Sequence, residues 1–436
     1  MTLHTQWQKT VTRDPGAVAL IDAGANRVWT RREISELAHE WAATHGAAAA
    51  GRRVVFAEPN GPEWFRVFLG VMEAGAVAIA LDPGEPVAAQ RALAESARAA
   101  LWHGGTLESL PAFRRSARER ACLLKITSGS TGTPRALPFT DAQMMADGRQ
   151  ICATMGITAK DVNLGCIPLG HSYGLGNLVM PLLLQGTAII TGADVLPHGL
   201  ATAVAKWKPT IFPAVPALLR ALAESEVEPR QLRSLRTVIS AGSPLGPDVA
   251  ETFKRKFLRP VHNFYGSSET GGIAYDRTGG ATITGRSVGR PLVGVRLSFS
   301  KGGRFWVKSA AVGGSGRFRP ADRGELNARG ELVLLGRSGR MVKIGGRRLD
   351  PAEVERALCG ISGVREALVE LNQQRADSLV AVIASKRSPA EVKDSLHGQI
   401  ASWKIPRRIL AIDAFPLTAR GKTDVKRLRE VLHGVV

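Results

Sequence analysis

Directly after the run Ala121-Cys122-Leu123-Leu124-Lys125, the residues Ile126-Thr127-Ser128-Gly129-Ser130-Thr131-Gly132-Thr133-Pro134-Arg135 crowd hydroxyls, two glycines and a basic side chain into one loop. A short apolar strand that delivers such a loop constrains the fold more than any total does. Glycines let consecutive backbone N–H groups turn toward one point, hydroxyls add donors, and Arg135 adds a charge that can grip phosphate bidentately. The run lacks the GxxxxGK[ST] spacing of a P-loop, and a polar turn between two strands has the same composition.

The pattern around the loop gives the fold class. Thr30-Arg31-Arg32-Glu33 reads as a capped helix start, followed by helically spaced apolar residues. The segment RRVVFAE reads as a strand, Pro62 to Ala74 as an amphipathic helix, and VAIALDP as a strand. Downstream, LRTVISAG, a helix over Pro247 to Phe257 and PVHNFYG repeat the order. Alternation of this kind predicts an α/β chain with largely parallel sheets, whose ligands bind at the carboxyl ends of the strands. After about residue 280, short glycine-punctuated strands predict a small antiparallel or barrel-like section. Gly336, Gly339, Gly345 and Gly346 then cluster, and a helix, two strands, another helix and a tail follow. The expected architecture is a large N-terminal domain, 1–337, of parallel and mixed sheets with helices, and a small α+β C-terminal domain, 338–436.

Composition narrows the function. The start MTLHTQWQKT lacks an apolar signal region, and no run approaches membrane-spanning length. Four cysteines without CxxC or Cys/His spacing argue against a zinc site and a disulfide framework, and point to a reducing cytoplasm. The formal charge of +20 brings nucleic acid to mind. Basic residues are dispersed as RR and KR pairs rather than gathered with aromatics, so a generally basic, Ala/Arg-rich surface is one reading and an anionic substrate or acidic protein partner the other, both ahead of nucleic acid.

A second motif, Asn263-Phe264-Tyr265-Gly266-Ser267-Ser268-Glu269-Thr270-Gly271-Gly272, follows a predicted strand. Glu269 is a hard oxygen donor of the kind Mg²⁺ prefers beside a nucleoside triphosphate, and the flat Tyr265 ring can stack on a base. A strand-end turn with a surface glutamate is the alternative reading.

Taken in order, these motifs resemble the adenylate-forming superfamily of acyl- and aryl-CoA ligases, peptide-synthetase adenylation domains and firefly luciferases. Ser240-Ala241-Gly242-Ser243-Pro244-Leu245 resembles the adenine-side loop. Asp322 after Pro320-Ala321, Gly336-Arg337, and Lys343-Ile344-Gly345-Gly346 resemble later family segments. LTARGKTDVKRL resembles the segment of the catalytic lysine, which falls on Lys422. The resemblance implies that an acid attacks ATP to give an acyl-adenylate, and that a thiol, of CoA or of the phosphopantetheine on an acidic acyl carrier protein, then displaces AMP. It implies that Thr127 and Arg135, with Ser128, Gly129, Ser130, Thr131, Gly132 and Thr133, cradle the β- and γ-phosphates. Asn263, Phe264, Tyr265, Gly266 and Gly242 would take adenine. Asp322 and Arg337 would take ribose, Glu269 would take Mg²⁺, and Ser268 would lie near the α-phosphate. Lys422, on a mobile C-terminal lid, would bridge ribose and the reacting carboxylate. Four departures stand out: Arg135 for the usual Lys, Ser268 for Thr, Pro320-Ala321 for Thr-Gly, and Gly339 at the hinge. The last leaves the switching mechanism open.

Ile167 to Asn177, with His171, Tyr173 and Gly174, resembles the acid-binding segment, and His171 is also a catalytic candidate. HSYGLGN holds no carboxylate to pair with an amino-acid ammonium. YGLGN, followed by PLLLQGTAII and later KPTIFPAVPALL, looks most like benzoate- and hydroxybenzoate-type CoA ligases, with fatty-acyl ligases the nearest alternative, and the resemblance implies that Ser240 and Gly266 also contact the acid. A nucleotide-binding relative without catalysis is a further reading, which an intact Glu269, Asp322 and Lys422 speak against.

Overall fold

The computed structural model describes residues 1–110, 120–127, 135–313, 316–337, 342–344, 347–372, 378–397, 399–418 and 423–433. Two sheets, each parallel at its centre with an antiparallel strand at either edge, dominate the first three hundred residues. The six-stranded sheet runs Thr106–Ser109, Leu101–Gly104, Arg53–Phe56, Val77–Ala80, Leu123–Thr127, Arg135–Phe139. The nine-stranded sheet places Val18–Asp22, Ala188–Thr191, Val162–Leu164, Ile211–Ala214, Thr237–Ser240 and Val261–Ser267 in parallel neighbourhood. Arg27–Thr30 closes one edge and Gly271–Tyr275 with Arg290–Pro291 the other. Ile211–Ala214 and Thr237–Ser240 are buried throughout, as expected of parallel strands covered on both faces.

The main core lies between the sheets. It joins Val54, Phe56, Ala78 and Leu123 of one sheet to Leu20 and Ile189 of the other through Trp7, Trp41, Trp64 and Phe68 on helices. The helices begin where their sequences say. Thr30 accepts from the Glu33 backbone while the Glu33 carboxylate accepts from Thr30, a capping box that starts Arg31–Ala49. Thr140 and Gln143 do the same for Asp141–Met155, which ends on left-handed Gly156.

The antiparallel section expected after 280 consists of Arg296–Phe299, Phe305–Lys308 and Arg317–Phe318, bridged at Arg304–Arg323 to the hairpin Asp322–Leu326/Leu332–Arg337. From Ile344 onward the chain builds cores of its own. The helix Pro351–Cys359 packs on Val364–Leu371, Leu379–Ser385 and Arg408–Ile412, the first pair antiparallel and the second parallel. No described helix is long and apolar enough to cross a membrane, and the four cysteines are unpaired.

Candidate active site

The site gathers where the carboxyl ends of the two sheets meet. Asn60, just past Arg53–Phe56, donates to the carbonyls of Gly165 (3.2 Å) and Ile167 (2.8 Å) and accepts from the Leu169 N–H (3.0 Å). One amide thus staples the loop before His171 onto the neighbouring sheet. Gly170 lies so close to Ala80 that an added Cβ would come within 2.9 Å of its Cβ.

Thr127 and Arg135 lie at the open end of a strand pair, Leu123–Thr127 with Arg135–Phe139. Thr127 opposes Arg135, and Thr127 Oγ1 donates to the Arg135 carbonyl at 3.4 Å. Ser128, Gly129, Ser130, Thr131, Gly132 and Thr133 lie outside the described residues, as do Lys422 and Gly339.

The second motif is a hairpin. Val261–Ser267 returns as Gly271–Tyr275, with Ser268, Glu269 and Thr270 at the turn and a bulge between Tyr265 and Gly266. The crossing demands glycine at 266, where a Cβ would stand 2.5 Å from the Gly271 carbonyl oxygen. By strand alternation Tyr265 and Phe264 face opposite ways. The Tyr265 hydroxyl donates to Asp322 Oδ2 at 2.7 Å. Asp322 in turn sits opposite Arg337 in the register of its own hairpin. Tyr265, Asp322 and the backbone of Arg337, scattered over seventy residues of sequence, are therefore brought together.

Ala214, Ser240 and Asn263 stand side by side on three adjacent parallel strands. Beside them the Tyr173 hydroxyl donates toward the carbonyls of Ala214 (3.4 Å) and Ile239 (3.3 Å), and its ring lies 5.9 Å from that of Phe264. Burial raises the Tyr173 hydroxyl pKa, so it stays a neutral donor. Phe264 is packed in the core beside Tyr173. Ser240 is buried, and its Oγ has no hydrogen-bond partner among the described residues. Gly174 begins the turn into a π-helical stretch, Leu175–Val179; a Cβ there would fall 2.0 Å from the Pro168 carbonyl oxygen. Gly242 follows Ser240 with φ +91, a left-handed turn of the kind glycine favours. His171 presents Nε2 3.8 Å from Asp82 Oδ2.

Sequence reasoning passed over two buried charges that tie these parts together. Lys125 is fully buried in the strand that leads into the phosphate-type loop, its ammonium 4.0 Å over the Phe139 ring. Asp147, on the helix Asp141–Met155, accepts from the Gly272 N–H at 2.9 Å, which pins the turn of Ser268 and Glu269. Burial lowers the Lys125 pKa, opposed by the charges of Asp147 and Glu269; burial raises that of Asp147, opposed by Lys125. The signal was present, since a lysine inside an apolar strand is rarely buried unless it is paired.

Among the described residues no group of three or more His, Cys, Asp and Glu gathers as a metal cage. Glu269 fits a different arrangement. It is a half-buried carboxylate on a turn within range of the Lys125 charge, hence near the strand Leu123–Thr127, and a lone carboxylate of this kind suits a hard cation that takes its remaining oxygen donors from elsewhere.

Comparison with known proteins agrees with this geometry. The profile of the AMP-binding enzyme family matches residues 7–112 and 105–301, and that of the AMP-binding enzyme C-terminal domain matches 353–422. A feruloyl-CoA synthase from Amycolatopsis is 26% identical over 471 residues, spanning 94% of each chain. A benzoate–CoA ligase from Thauera aromatica is 28% identical over 347 residues, 71% of this chain and 65% of that one. The chain also matches, at 25% identity over 97% of its length, only 6% of a far longer probable non-canonical nonribosomal peptide synthetase from Salinispora arenicola. Its fold follows that of ATP-bound MatB from Rhodopseudomonas palustris over the whole of both chains, with a TM-score of 0.85 at 21% identity. With both profiles matched in order along one chain, the protein belongs to the AMP-binding enzyme family, the adenylate-forming enzymes that its motifs resemble.

Proposed function

We propose that this enzyme activates an aryl carboxylic acid with ATP, as an acyl-adenylate, and passes the acyl group to the thiol of coenzyme A. One observation carries the reading. The strand register aligns Ala214, Ser240 and Asn263 beside Tyr173, and Asn263 stands two residues along the same strand from Tyr265, whose hydroxyl meets Asp322. The residues proposed for the acid thus end where those proposed for the nucleoside begin. The unpartnered Ser240 hydroxyl supplies a hydrogen bond to a polar group on the acid, and the neutral Tyr173 and Phe264 favour a flat ring. His171 to Asn177 contains no carboxylate to receive an amino-acid ammonium.

Both reactants of the first step are anions, so the chain must supply positive charge and donors. Thr127, the segment 128–133 and Arg135 hold the terminal phosphates. Tyr265, Asn263 and Gly242 take adenine, Asp322 and Arg337 the ribose, and Ser268 approaches the α-phosphate. Glu269 would hold Mg²⁺, which offsets phosphate charge when bound. Residues 338–436 form the mobile lid, and Lys422 delivers the cation that bridges ribose and carboxylate. The feruloyl- and benzoate-activating relatives support CoA as acceptor; a carrier-protein thiol uses the same chemistry.

Pyrophosphate release from ATP and Mg²⁺, with hydroxylamine as trap, tests the reading against benzoates, hydroxycinnamates, fatty acids and amino acids. Release with the aryl acids is expected. Release with fatty acids alone would replace the acid class, and silence across the panel with ATP bound would end the reading. Lys422→Ala should abolish adenylate formation and spare thiol transfer from supplied acyl-adenylate; equal loss of both would refute its role.

A further inference from the structure

The helix Asp141–Met155 buries the stripe Met144, Asp147, Gly148, Ile151 and Met155. A carboxylate in the middle of an apolar stripe is costly to keep, and the reaction as drawn above makes no use of it. Asp147 is 2% exposed. Its Oδ1 accepts from the Gly272 N–H at 2.9 Å, and its Oδ2 has no hydrogen-bond partner among the described residues.

Parts of three motifs surround this carboxylate. The backbone at Gly271 lies flat against it, so that a Cβ there would collide with both oxygens, and φ +69 favours glycine as well. Gly176 lies in the π-helical stretch Leu175–Val179, within the proposed acid-binding segment, and a Cβ there would stand 3.3 Å from Asp147 Oδ2. Lys125, buried in the strand that leads to residues 128–133, lies within range of the charges of Asp147 and Glu269. The turn between these parts is tight. The Thr270 N–H donates to the Ser267 carbonyl at 3.3 Å, and the Ser267 and Thr270 hydroxyls meet at 3.1 Å. Ser268 and Glu269 form its tip, so the Glu269 carboxylate is carried wherever the backbone beneath it is anchored. One anchor is the hairpin's own pairing, Gly266 with Gly272 and Ser267 with Gly271. The other reaches in from outside the hairpin, and it is Asp147.

We propose, on the adenylate-forming reading above in which Glu269 holds Mg²⁺, that Asp147 is a positioning residue: by holding the Gly271–Gly272 backbone against the acid-binding segment, it sets where the Glu269 carboxylate stands. A metal ligand on a turn is only as well placed as the backbone that carries it. Loss of an outer partner of a ligand costs about tenfold to a hundredfold in metal affinity. The glycines at 271 and 176 follow from the same contact. A side chain at the first would push the carboxylate off the turn, and one at the second would crowd it from the acid side.

Calorimetry on the full chain, without acid and with α,β-methylene-ATP as probe, tests the role through one ratio: affinity with Mg²⁺ over affinity in EDTA. Asp147→Ala should lower that ratio about tenfold or more while affinity in EDTA stays within about twofold of wild type. Asp147→Asn keeps an oxygen for the Gly272 N–H and should hold the ratio within about threefold. Glu269→Gln should lose the ratio by itself, and adding Asp147→Ala to it should change nothing further, because Asp147 acts through Glu269. Should Asp147→Ala fail to fold around an unpaired Lys125, the double variant Lys125→Met with Asp147→Ala removes both charges and carries the same expected ratio. Hydrogen exchange in the segment 266–276 should speed up in Asp147→Ala and not in Asp147→Asn. Affinities with and without Mg²⁺ that fall together would make Asp147 a support of the fold alone and overturn the role. So would an Asn variant as impaired as the Ala variant, a further loss on top of Glu269→Gln, or exchange at the turn that Asp147→Ala leaves unaltered. A silent acid panel fails the acyl-transfer reading and leaves the ratio intact. A probe that does not bind at all fails the nucleotide reading and takes the role of Asp147 with it.

Discussion

The hydrogen bond from the Tyr265 hydroxyl to Asp322 is the contact on which the proposed nucleoside site rests, and it makes a graded prediction. Asp322→Ala removes a charged acceptor and the proposed ribose ligand. It should raise KM for ATP about tenfold to a hundredfold, from about 1.5–3 kcal/mol for a charge-assisted bond. Tyr265→Phe removes one hydroxyl and should cost about tenfold or less. Both are read by ATP–pyrophosphate exchange at saturating acid; a change in the acid's KM with that for ATP untouched would move Asp322 out of the nucleoside site. Lys125 and Asp147 make a second. Lys125→Met keeps the volume but strands a buried carboxylate, and should destabilise by about 2–4 kcal/mol in urea unfolding. Adding Asp147→Asn should recover part of that loss, because the uncompensated charge goes with it. If the double variant is as unstable as the sum of the two single ones, the charges are not coupled.

Among elements, the sequence was easiest to read where local physics decides. Apolar runs bounded by turns became Arg53–Phe56, Val77–Ala80 and Thr237–Ser240, and Thr30-Arg31-Arg32-Glu33 announced its capping box. What could not be read was which strand neighbours which. Leu20 pairs with Ile189, and Asn163 lies beside both Ile189 and Ile211. Such partners are chosen by long-range burial, which leaves no periodic trace in either segment. The site followed the same division. The turn of Ser268 and Glu269 was legible as a glycine and hydroxyl cluster, whereas Lys125 and Asp147 gained meaning only when the fold brought them within range of each other. Gly174 belongs to the legible class, yet its reason is tertiary. Gly174→Ala drives a Cβ into the Pro168 carbonyl, and should lower stability by about 1–3 kcal/mol in thermal unfolding and raise KM for the acid. An unchanged acid KM would detach this turn from the substrate pocket.

Between the strands Val162–Leu164 and Ile211–Ala214, Asp161 receives both Arg236 Nε and Nη2 at 2.8 Å, together with Thr210 and Thr158. Burial alone would raise the Asp161 carboxyl, but these bonds prevail and hold it down to about 2. A carboxyl depressed on folding stabilises above its unfolded pKa of about 3.9, and that stability is lost as pH falls toward 2. The stability difference between wild type and Asp161→Asn should therefore be constant above about pH 4 and shrink below it. A difference that stays level down to pH 2 would show that the carboxylate's charge is not what Arg236 holds.

At the scale of the whole molecule, the chain passes from one unit to the next through a narrow crossing. Gly336, with φ +106, lies where a Cβ would come 2.7 Å from Ala352 Cβ and 2.8 Å from Asp350 Oδ2, and Arg323 pairs with Asp350 across the same point. Farther out, Arg220 on the helix Pro216–Glu224 reaches Glu366 on the strand Val364–Leu371 at 3.1 Å. The crossing fixes where the C-terminal unit is attached, and the Arg220–Glu366 pair helps to fix how it is turned. The lid proposed above must leave any one orientation readily, so the contacts holding it should be few and weak. A half-buried pair of this kind contributes on the order of 1 kcal/mol. Arg220→Ala should then slow the half-reaction that uses this orientation by up to about fivefold and speed the other, with KM for ATP and acid unchanged. Single-turnover rates of adenylate formation and of thiol transfer, measured separately, read the two directions. Rates that fall together would mean that the pair supports the fold of the helix and takes no part in setting the lid.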